Sequence, residues 1–337
     1  MHIGKGYSPK EFLLWLRRDS YWLLAIATVP TALYQLAGWT WLTLPWVPIA
    51  LVGTAAAFIV GFRNNATYAR AWESRQIYGA IVNTSRSWGL AVMDFVRTSD
   101  RLSETDAART RSRLIHQHIA WLTALRYQLR QPRAWETVQQ RHNQEYRNKY
   151  FTVAEHQGDL AEELRPLLRE QDHAHVLAKS NRATHLLALQ GDVVAGLYGQ
   201  GALEANHRVL LEKLLMDMYG QQGGCERIKN YPYPRQFATI NRFFTRVFVW
   251  LVPLGLIGEF AKLGTWQVWL AIPASFLIGW VFNAMERVGE ATENPFEGQA
   301  NDTPITSLSR TIEIDLREML GETDIPKPIP PQNNIQL

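Results

Sequence analysis

The sequence contains a single cysteine, Cys225, which excludes an intrachain disulfide and any metal site built from several cysteines. It also lacks the GxSxG, HExxH, P-loop and GxGxxG patterns of common hydrolases, metalloproteases and nucleotide-binding proteins. The histidine pairs His116/His118 and His173/His175 are spaced i, i+2, which places their side chains on different faces of a helix. We therefore predict no catalytic residue, no metal site and no cofactor, and a protein that is not an enzyme.

Charge is absent from a long stretch near the N-terminus. No Asp, Glu, Lys, Arg or His occurs from Ser20 to Phe62, although 20% of the chain is charged. Since a helical crossing of the bilayer needs about 20 mostly apolar residues, this stretch predicts two crossings, at about 20–37 and 44–62. Two more are predicted at 237–258 and 263–285, which gives four membrane helices. The mean hydropathy of −0.19 indicates that these helices are a minority of the chain.

Basic residues flank one end of each predicted crossing. They are Lys5, Lys10, Arg17, Arg18, Arg63, Arg70, Arg75, Arg235, Arg242, Arg246 and Arg287. By the positive-inside rule, both termini and the region 64–236 are predicted to be cytoplasmic. These residues also account for the net charge of +4. We therefore expect the lipid bilayer, and not nucleic acid, as a partner.

The region 64–236 has apolar residues at helical spacing and no strand pattern, which predicts an all-α protein. The expected helices are a continuation of the second membrane helix to about Arg97, then Thr105 to Gln131, Leu160 to Leu177, His185 to Tyr198 and Glu204 to Tyr219. The pair Gly223 and Gly224 is predicted to stop a helix. Residues 322–337 are rich in proline and are predicted to form an extended tail, either disordered or packed on a neighbour.

Three acidic residues share one helical face just after the fourth predicted crossing. Glu286, Glu290 and Glu293 are spaced i, i+4 and i+7. Three carboxylates in this arrangement could line the mouth of an ion pathway or bind a cation. The alternative is a solvated helix face just below the membrane.

The second predicted crossing places large and small residues on different faces. Thr54, Phe58 and Phe62 recur at i, i+4 and i+8, and small residues stand at Gly53, Ala55, Ala56, Ala57 and Gly61. Small residues allow close helix packing in lipid. If several copies surround an axis, the phenylalanine rings form an apolar collar that gates ions by dewetting. The alternative is that these rings face lipid.

Three motifs carry a resemblance to a known family. They are Gly-Phe-Arg-Asn-Asn-Ala-Thr-Tyr-Ala-Arg-Ala-Trp-Glu at 61–73, Gly-Cys-Glu-Arg at 224–227, and Asn-Pro-Phe-Glu-Gly at 294–298 followed by Asn301 and Asp302. In this order they resemble the bestrophins, particularly the bacterial members. The resemblance spans roughly residues 11–321 and implies one channel domain over 1–321, followed by the tail.

The resemblance implies a homopentameric ion channel in a bacterial-type inner membrane, with its pore lined by the second helix. The family's apolar neck then falls on Thr54, Phe58 and Phe62, and Thr54 departs from the bulky aliphatic residue common there. A lower cytosolic aperture falls on Asn206, with His207 one residue away. The family name implies chloride as the permeant monovalent ion, and cation selectivity stays open for a bacterial member.

Two further expectations concern calcium and the main alternative function. Animal bestrophins bind calcium after the motif that corresponds to 294–298. Here that segment offers only Glu297 and Asp302 as carboxylates, a poor set for a cation that takes six to eight oxygens. The alternative to conduction is a membrane-anchored helical sensor or scaffold, which would give no unitary currents.

Overall fold

The computed structural model describes all residues, 1–337, and its regular structure is helical, which confirms the predicted all-α class. The helices are α1 (Pro9–Ala37), α2 (Trp46–Phe95), α3 (Glu104–Arg130), α4 (Arg141–Tyr150), α5 (Leu160–Leu164), α6 (Glu170–Leu177), α7 (Arg182–Gly199), α8 (Ala205–Asn230), α9 (Arg235–Ala261), α10 (Ala271–Thr292) and α11 (Ile305–Leu320). Isolated β-bridges are the only strand-like pairings.

Three segments are long and apolar enough to cross a membrane: Thr40–Phe95, Arg235–Ala261 and Trp266–Thr292. They contain α2, α9 and α10 and correspond to the second, third and fourth predicted crossings. Helix α1 contains the first predicted crossing, 20–37, and packs against α9 and α10. Its N-terminal turns are charged and begin at a capping box formed by Ser8 and Glu11.

Helix α2 connects the membrane bundle to the remaining helices without interruption. It runs for 50 residues, which confirms the predicted continuation toward Arg97. At a rise of 1.5 Å per residue it is about 75 Å long, whereas the hydrocarbon core is about 30 Å thick. More than half of this helix therefore lies outside the bilayer.

Close packing holds α2 against α9. A Cβ atom added at Gly53 would lie 2.5 Å from the Phe248 ring, so only glycine allows this approach. Ala56 is buried in the same contact, whereas Ala55 and Ala57 are exposed. The predicted use of small residues for helix packing thus applies to one face of α2 only.

The C-terminal half of α2 is part of the main hydrophobic core, which contains 34 buried residues. Its largest fully buried side chains include Tyr78 and Trp88 of α2 and Trp121 of α3. The core also includes Ile312 and Leu316 of α11. Because the membrane bundle and this core share one helix, the two parts of the molecule are structurally continuous.

Two helix boundaries differ from the prediction. The stop at Gly223 and Gly224 is wrong, since α8 continues through both to Asn230. A Cβ added at Gly224 would lie 2.9 Å from Ile77 of α2, so this glycine serves close packing. The single helix over 160–177 is also wrong, because a 3₁₀ turn containing Pro166 separates α5 from α6. Helices α4 and α11 were not predicted.

The C-terminal tail is extended and returns to its own chain. His2 and Ile335 form an antiparallel bridge, and the Ser307 amide donates to the Leu337 carbonyl. Ile335 is buried in a small cluster with Tyr146 and Phe151. The two ends of the chain are therefore held together beside α4.

A neutral histidine is enclosed in the main hydrophobic core. His118 is fully buried, with Ser85 Oγ 2.9 Å from its Nε2 and Gln190 Oε1 3.3 Å from its Nδ1. Burial lowers the pKa of His118 to about 3, against about 6.5 for a free histidine. Protonation of this ring therefore favours the unfolded state.

We expect the protein to lose stability as the pH falls from 6.5 toward 3. In this range His118 binds a proton in the unfolded chain but stays neutral in the folded protein. The contribution of this residue changes by up to about 1.4 kcal/mol per pH unit. His118→Gln should reduce the pH dependence of thermal unfolding, measured from pH 7.5 to 5. His175→Gln, at an exposed position, is the control. An equal pH dependence in wild type and His118→Gln would contradict this assignment.

Candidate functional site

Helix α2 presents a continuous exposed face, the α2 stripe. It consists of Val47, Leu51, Thr54, Phe58, Phe62, Asn65, Ala69 and Trp72. Phe58 is 64% exposed and Phe62 72%. The side-chain hydroxyl of Thr54 donates to the Ala50 carbonyl at 3.0 Å, so its methyl group is free to face outward. The three predicted neck residues therefore share one face of one helix.

The opposite face of α2 is buried against the rest of the chain. Ile49, Ala56 and Val60 lie on it in the membrane part, and Thr67 and Ser74 continue it below. The Ser74 hydroxyl lies 2.5 Å from that of Thr303, and Thr292 donates to the Thr67 hydroxyl at 2.9 Å. Because these contacts of the buried face are continuous, the orientation of the α2 stripe is fixed along the helix.

Arg63 follows Phe62 directly and lies on the buried face, 2% exposed. Its Nη2 donates to the Glu293 carboxylate at 3.0 Å. Arg235 of α9 reaches the other oxygen of the same carboxylate at 2.6 Å. Arg70, two turns below Arg63, donates to the Glu293 carbonyl at 3.1 Å and to the Ile228 carbonyl at 2.9 Å. Glu293 thus ties α2 to α9 at the end of α10.

The ion pairs continue from Glu293 along α10. Arg242 of α9 lies 3.4 Å from Glu286 and 3.5 Å from Glu290. Arg287 lies 2.8 Å from Glu290 and 3.0 Å from Asp19 of α1. We refer to these residues, Asp19, Arg63, Arg70, Arg235, Arg242, Glu286, Arg287, Glu290 and Glu293, as the arginine–glutamate cluster.

The three acids predicted at a pore mouth are all members of this cluster. The alternative of a solvated helix face is wrong, since Glu286, Glu290 and Glu293 are all buried. The structure does not place them on the α2 stripe, because Arg63, their partner on α2, points away from Phe62. Removing one partner from a buried ion pair costs about 3–5 kcal/mol. The cluster therefore holds four membrane-proximal helices in register.

Two polar cavities lie on either side of Arg242. One, of about 540 Å³, is lined by Asp19, Arg246, Glu286 and Arg287, among others. The other, of about 460 Å³, is lined by Arg63, Arg235 and Glu293, among others. Arg246 makes no ion pair or side-chain hydrogen bond and is exposed. The surroundings of the cluster therefore give small hydrated ions access to arginine side chains.

The predicted cytosolic aperture residues lie at the start of α8. Asn206 is exposed in its first turn. His207 is partly buried and stacks on Phe95, the last residue of α2, with ring centroids 4.1 Å apart and an interplanar angle of 6°. This stack joins the C-terminal end of α2 to the start of α8. Of the two residues, Asn206 has the unobstructed side chain.

The segment after Pro295 uses its carboxylates for internal hydrogen bonds. Glu297 accepts from the Thr137 and Val138 amides at 2.9 and 3.3 Å. Asp302 accepts from the Gly298 and Gln299 amides at 2.7 and 3.0 Å. Burial, with Asp302 and Glu136 nearby, raises the pKa of Glu297 to about 8. Since cation ligands must be deprotonated and turned toward the ion, this donor set does not suit calcium.

Sequence reasoning missed the arginine partners of the three acids. A signal was present, because Arg63 ends an uncharged run and Arg242 interrupts an apolar one. An ionisable residue at such a position usually has a partner in the bundle. The sequence does not identify that partner, because Arg63 and Glu293 are 230 residues apart.

The chain was compared with known proteins by sequence. The family model described as Bacterial/Fungal Bestrophin protein matches residues 14–318. The voltage-dependent anion channel-forming protein YneE of Escherichia coli K12 is 28% identical over 338 residues, covering 96% of this chain and 97% of that protein. The voltage-dependent anion channel-forming protein RSc3414 of Ralstonia nicotianae is 27% identical, covering 82% of this chain and 78% of that protein.

The fold was compared with solved structures. The crystal structure of a bacterial bestrophin homologue from Klebsiella pneumoniae superposes with a TM-score of 0.75 at 23% identity, covering 91% of this chain and 99% of that one. At this identity the likeness shows the fold alone. The family model, in contrast, spans nearly the whole chain, including the α2 stripe and the arginine–glutamate cluster. The chain therefore belongs to the bacterial and fungal bestrophin family.

Proposed function

We propose that this chain is one subunit of a homopentameric channel that passes small anions, chloride by family expectation, passively across the bacterial inner membrane. The observation that carries the proposal is the α2 stripe, an exposed face that continues from the bilayer into the cytoplasmic part of one 50-residue helix. The relatives named as anion channel-forming proteins support the same function.

The stripe has the composition expected of a pore with a hydrophobic constriction. Phe58 and Phe62 lie one turn apart, so a ring of subunits gives two stacked collars of phenylalanine. Narrow apolar collars exclude water and close a pathway without a plug. Thr54 adds a third ring, which is wider because its side chain is smaller and presents a methyl group while its hydroxyl bonds to the Ala50 carbonyl. Below the collars, Asn65 makes the pathway polar again.

The local net charge is positive, which supports permeation by anions. The arginine–glutamate cluster contains five arginines and four carboxylates, and the exposed Arg246 adds a further positive charge nearby. With every acid of the cluster paired to arginine, no ring of free carboxylates is left to select cations. A positive excess repeated in each subunit raises the local concentration of anions.

The proposed cytosolic aperture also favours anions. We assign it to Asn206, whose amide group offers donors to an anion. The first turn of α8 adds unpaired backbone N–H groups and the positive end of the helix dipole. His207 supports this turn through its stack on Phe95. In this proposal both termini and the helices from α3 to α8 are cytoplasmic, and α1, α2, α9 and α10 form four membrane crossings.

The pore requires a closed ring, because the α2 stripe of one subunit cannot surround an axis by itself. We expect native mass spectrometry of the detergent-solubilised protein to give five times the 38.6 kDa of the chain. A cyclic assembly leaves no open edge and should resist dilution. A stable monomer or dimer would contradict the proposed pore.

Replacing both Phe58 and Phe62 by alanine should increase the unitary current or the open probability severalfold, because a wider collar stays wetted. Single-channel recording of purified protein in planar bilayers measures both quantities. Phe58→Leu/Phe62→Leu keeps the apolar bulk and should behave like wild type. Leu277→Ala, at an exposed site on α10, controls for a general loss of side-chain volume.

Unaltered currents in correctly assembled Phe58→Ala/Phe62→Ala protein would place the two rings against lipid and contradict the neck assignment. The absence of unitary currents from wild type and all variants would favour the alternative of a membrane-anchored sensor or scaffold. These two outcomes are distinct, since the first requires conduction and the second excludes it.

A further inference from the structure

A small apolar cavity lies near the chain termini, away from the α2 stripe. Its volume is about 160 Å³, and its apolar wall includes Phe12, Trp15, Phe151, Val288 and Ala300. The wall comes from α1, α4, α10 and the segment that follows α10. A cavity of about 150 Å³ with apolar walls is large enough to bind benzene. This site therefore has room for one six-membered ring and not for a long acyl chain.

The buried hydroxyl of Tyr146, which lines this cavity, has no partner. Tyr146 is only 8% exposed, and its hydroxyl makes no hydrogen bond. Such a group is uncommon, because a buried hydroxyl without a partner loses about 1–3 kcal/mol of hydrogen bonding. Tyr7, which also lines the cavity, differs, since its hydroxyl donates to Asn301 at 3.0 Å.

The Glu11 carboxylate lines the same cavity. Burial raises the pKa of Tyr146, and Tyr7 and Glu11, which line the same cavity, raise it further. Glu11 accepts from the Ser8 amide with Oε2 at 2.9 Å, so its other oxygen is free to accept again. The cavity thus combines a free hydroxyl donor with a free carboxylate acceptor.

We propose that this cavity binds a small neutral aromatic molecule that carries one hydroxyl group. A phenolic hydroxyl has one donor and two acceptor lone pairs. It donates to Glu11 and accepts from Tyr146, while the ring fills the space between Phe12, Trp15 and Phe151. An anionic ligand is disfavoured, because its charge would lie beside the Glu11 carboxylate.

Arg147 also lines the cavity and makes no ion pair or side-chain hydrogen bond. If Arg147 dominated recognition, the ligand would instead be an aromatic carboxylate. Comparison of phenol with benzoate decides between the two, since they share the ring and differ in charge.

The test is ligand-observed ¹⁹F NMR of 4-fluorophenol with the full-length protein in detergent, with phenol, benzene, benzoate and palmitate as competitors. We expect phenol to compete about fivefold better than benzene, from the added hydrogen bonds, and better than benzoate. Tyr146→Phe should weaken 4-fluorophenol binding about fivefold. Glu11→Gln, which retains a capping-box residue at this position, should weaken it about tenfold.

Matched controls separate the site from partition into the micelle. Tyr150→Phe removes a hydroxyl one turn further along α4 and should bind like wild type. Ala300→Leu and Val288→Phe each fill the cavity and should abolish saturable binding. Val288 is 46% exposed, so its substitution keeps the test available if Ala300→Leu fails to fold.

Saturable binding that both filling variants leave intact would overturn the proposal, because the ligand would then lie elsewhere. Tighter binding of benzoate than phenol would overturn the neutral ligand in favour of recognition by Arg147. Tighter binding of palmitate would assign the cavity to a fatty acid. Absence of saturable binding by any of these ligands would show that the cavity holds water only.

Discussion

The buried ion pair between Arg63 and Glu293 is the contact on which the orientation of α2 depends. Arg63 directly follows Phe62 in sequence, so fixing the guanidinium to α10 also sets the direction of the phenylalanine, which lies about 100° further around the helix. Arg235 neutralises the second oxygen of Glu293 and adds α9 to the same junction. Because charges in a dry environment are costly when unpaired, this junction tolerates little rotation of α2.

The same junction links the membrane bundle to the helices outside it. Below Arg63, the buried face of α2 continues through Thr67, Ser74 and Tyr78, each hydrogen-bonded to α10, α11 or the segment between them. Tyr78 then enters the main hydrophobic core. One helix is therefore backed by protein along its whole length and exposed along its other side. That division leaves a single face available for an axis shared by several subunits.

Sequence reasoning predicted the features that depend on local composition. The uncharged runs located the apolar helices. Helical spacing beyond Phe62 predicted that α2 would continue out of the membrane without a break. It failed where the cause is a distant contact. Gly224 was predicted to stop a helix, because the sequence does not show the close approach of Ile77. For the same reason, the arginine partners of the acids at 286, 290 and 293 were not predicted. The amphipathic α11 was missed although its apolar positions recur at helical spacing in the sequence.

For the candidate site, the neck residues were identified by spacing and by family resemblance, and the structure adds that they share one exposed face. The cavity beside Tyr146 was not predictable, since its walls come from four separate parts of the chain. Only the folded arrangement brings α1, α4 and the end of α10 around one hydroxyl. Sites of this kind depend on tertiary packing and leave no motif in the sequence.

The central claim is that the α2 stripes of several subunits surround a pathway for anions. The most direct measurement is the zero-current potential of purified protein in a planar bilayer with unequal KCl concentrations on the two sides. The account predicts a potential close to the chloride equilibrium potential, because the acids of the arginine–glutamate cluster are paired and arginine is in excess. A potential close to the potassium equilibrium potential, or the absence of any current, would contradict it.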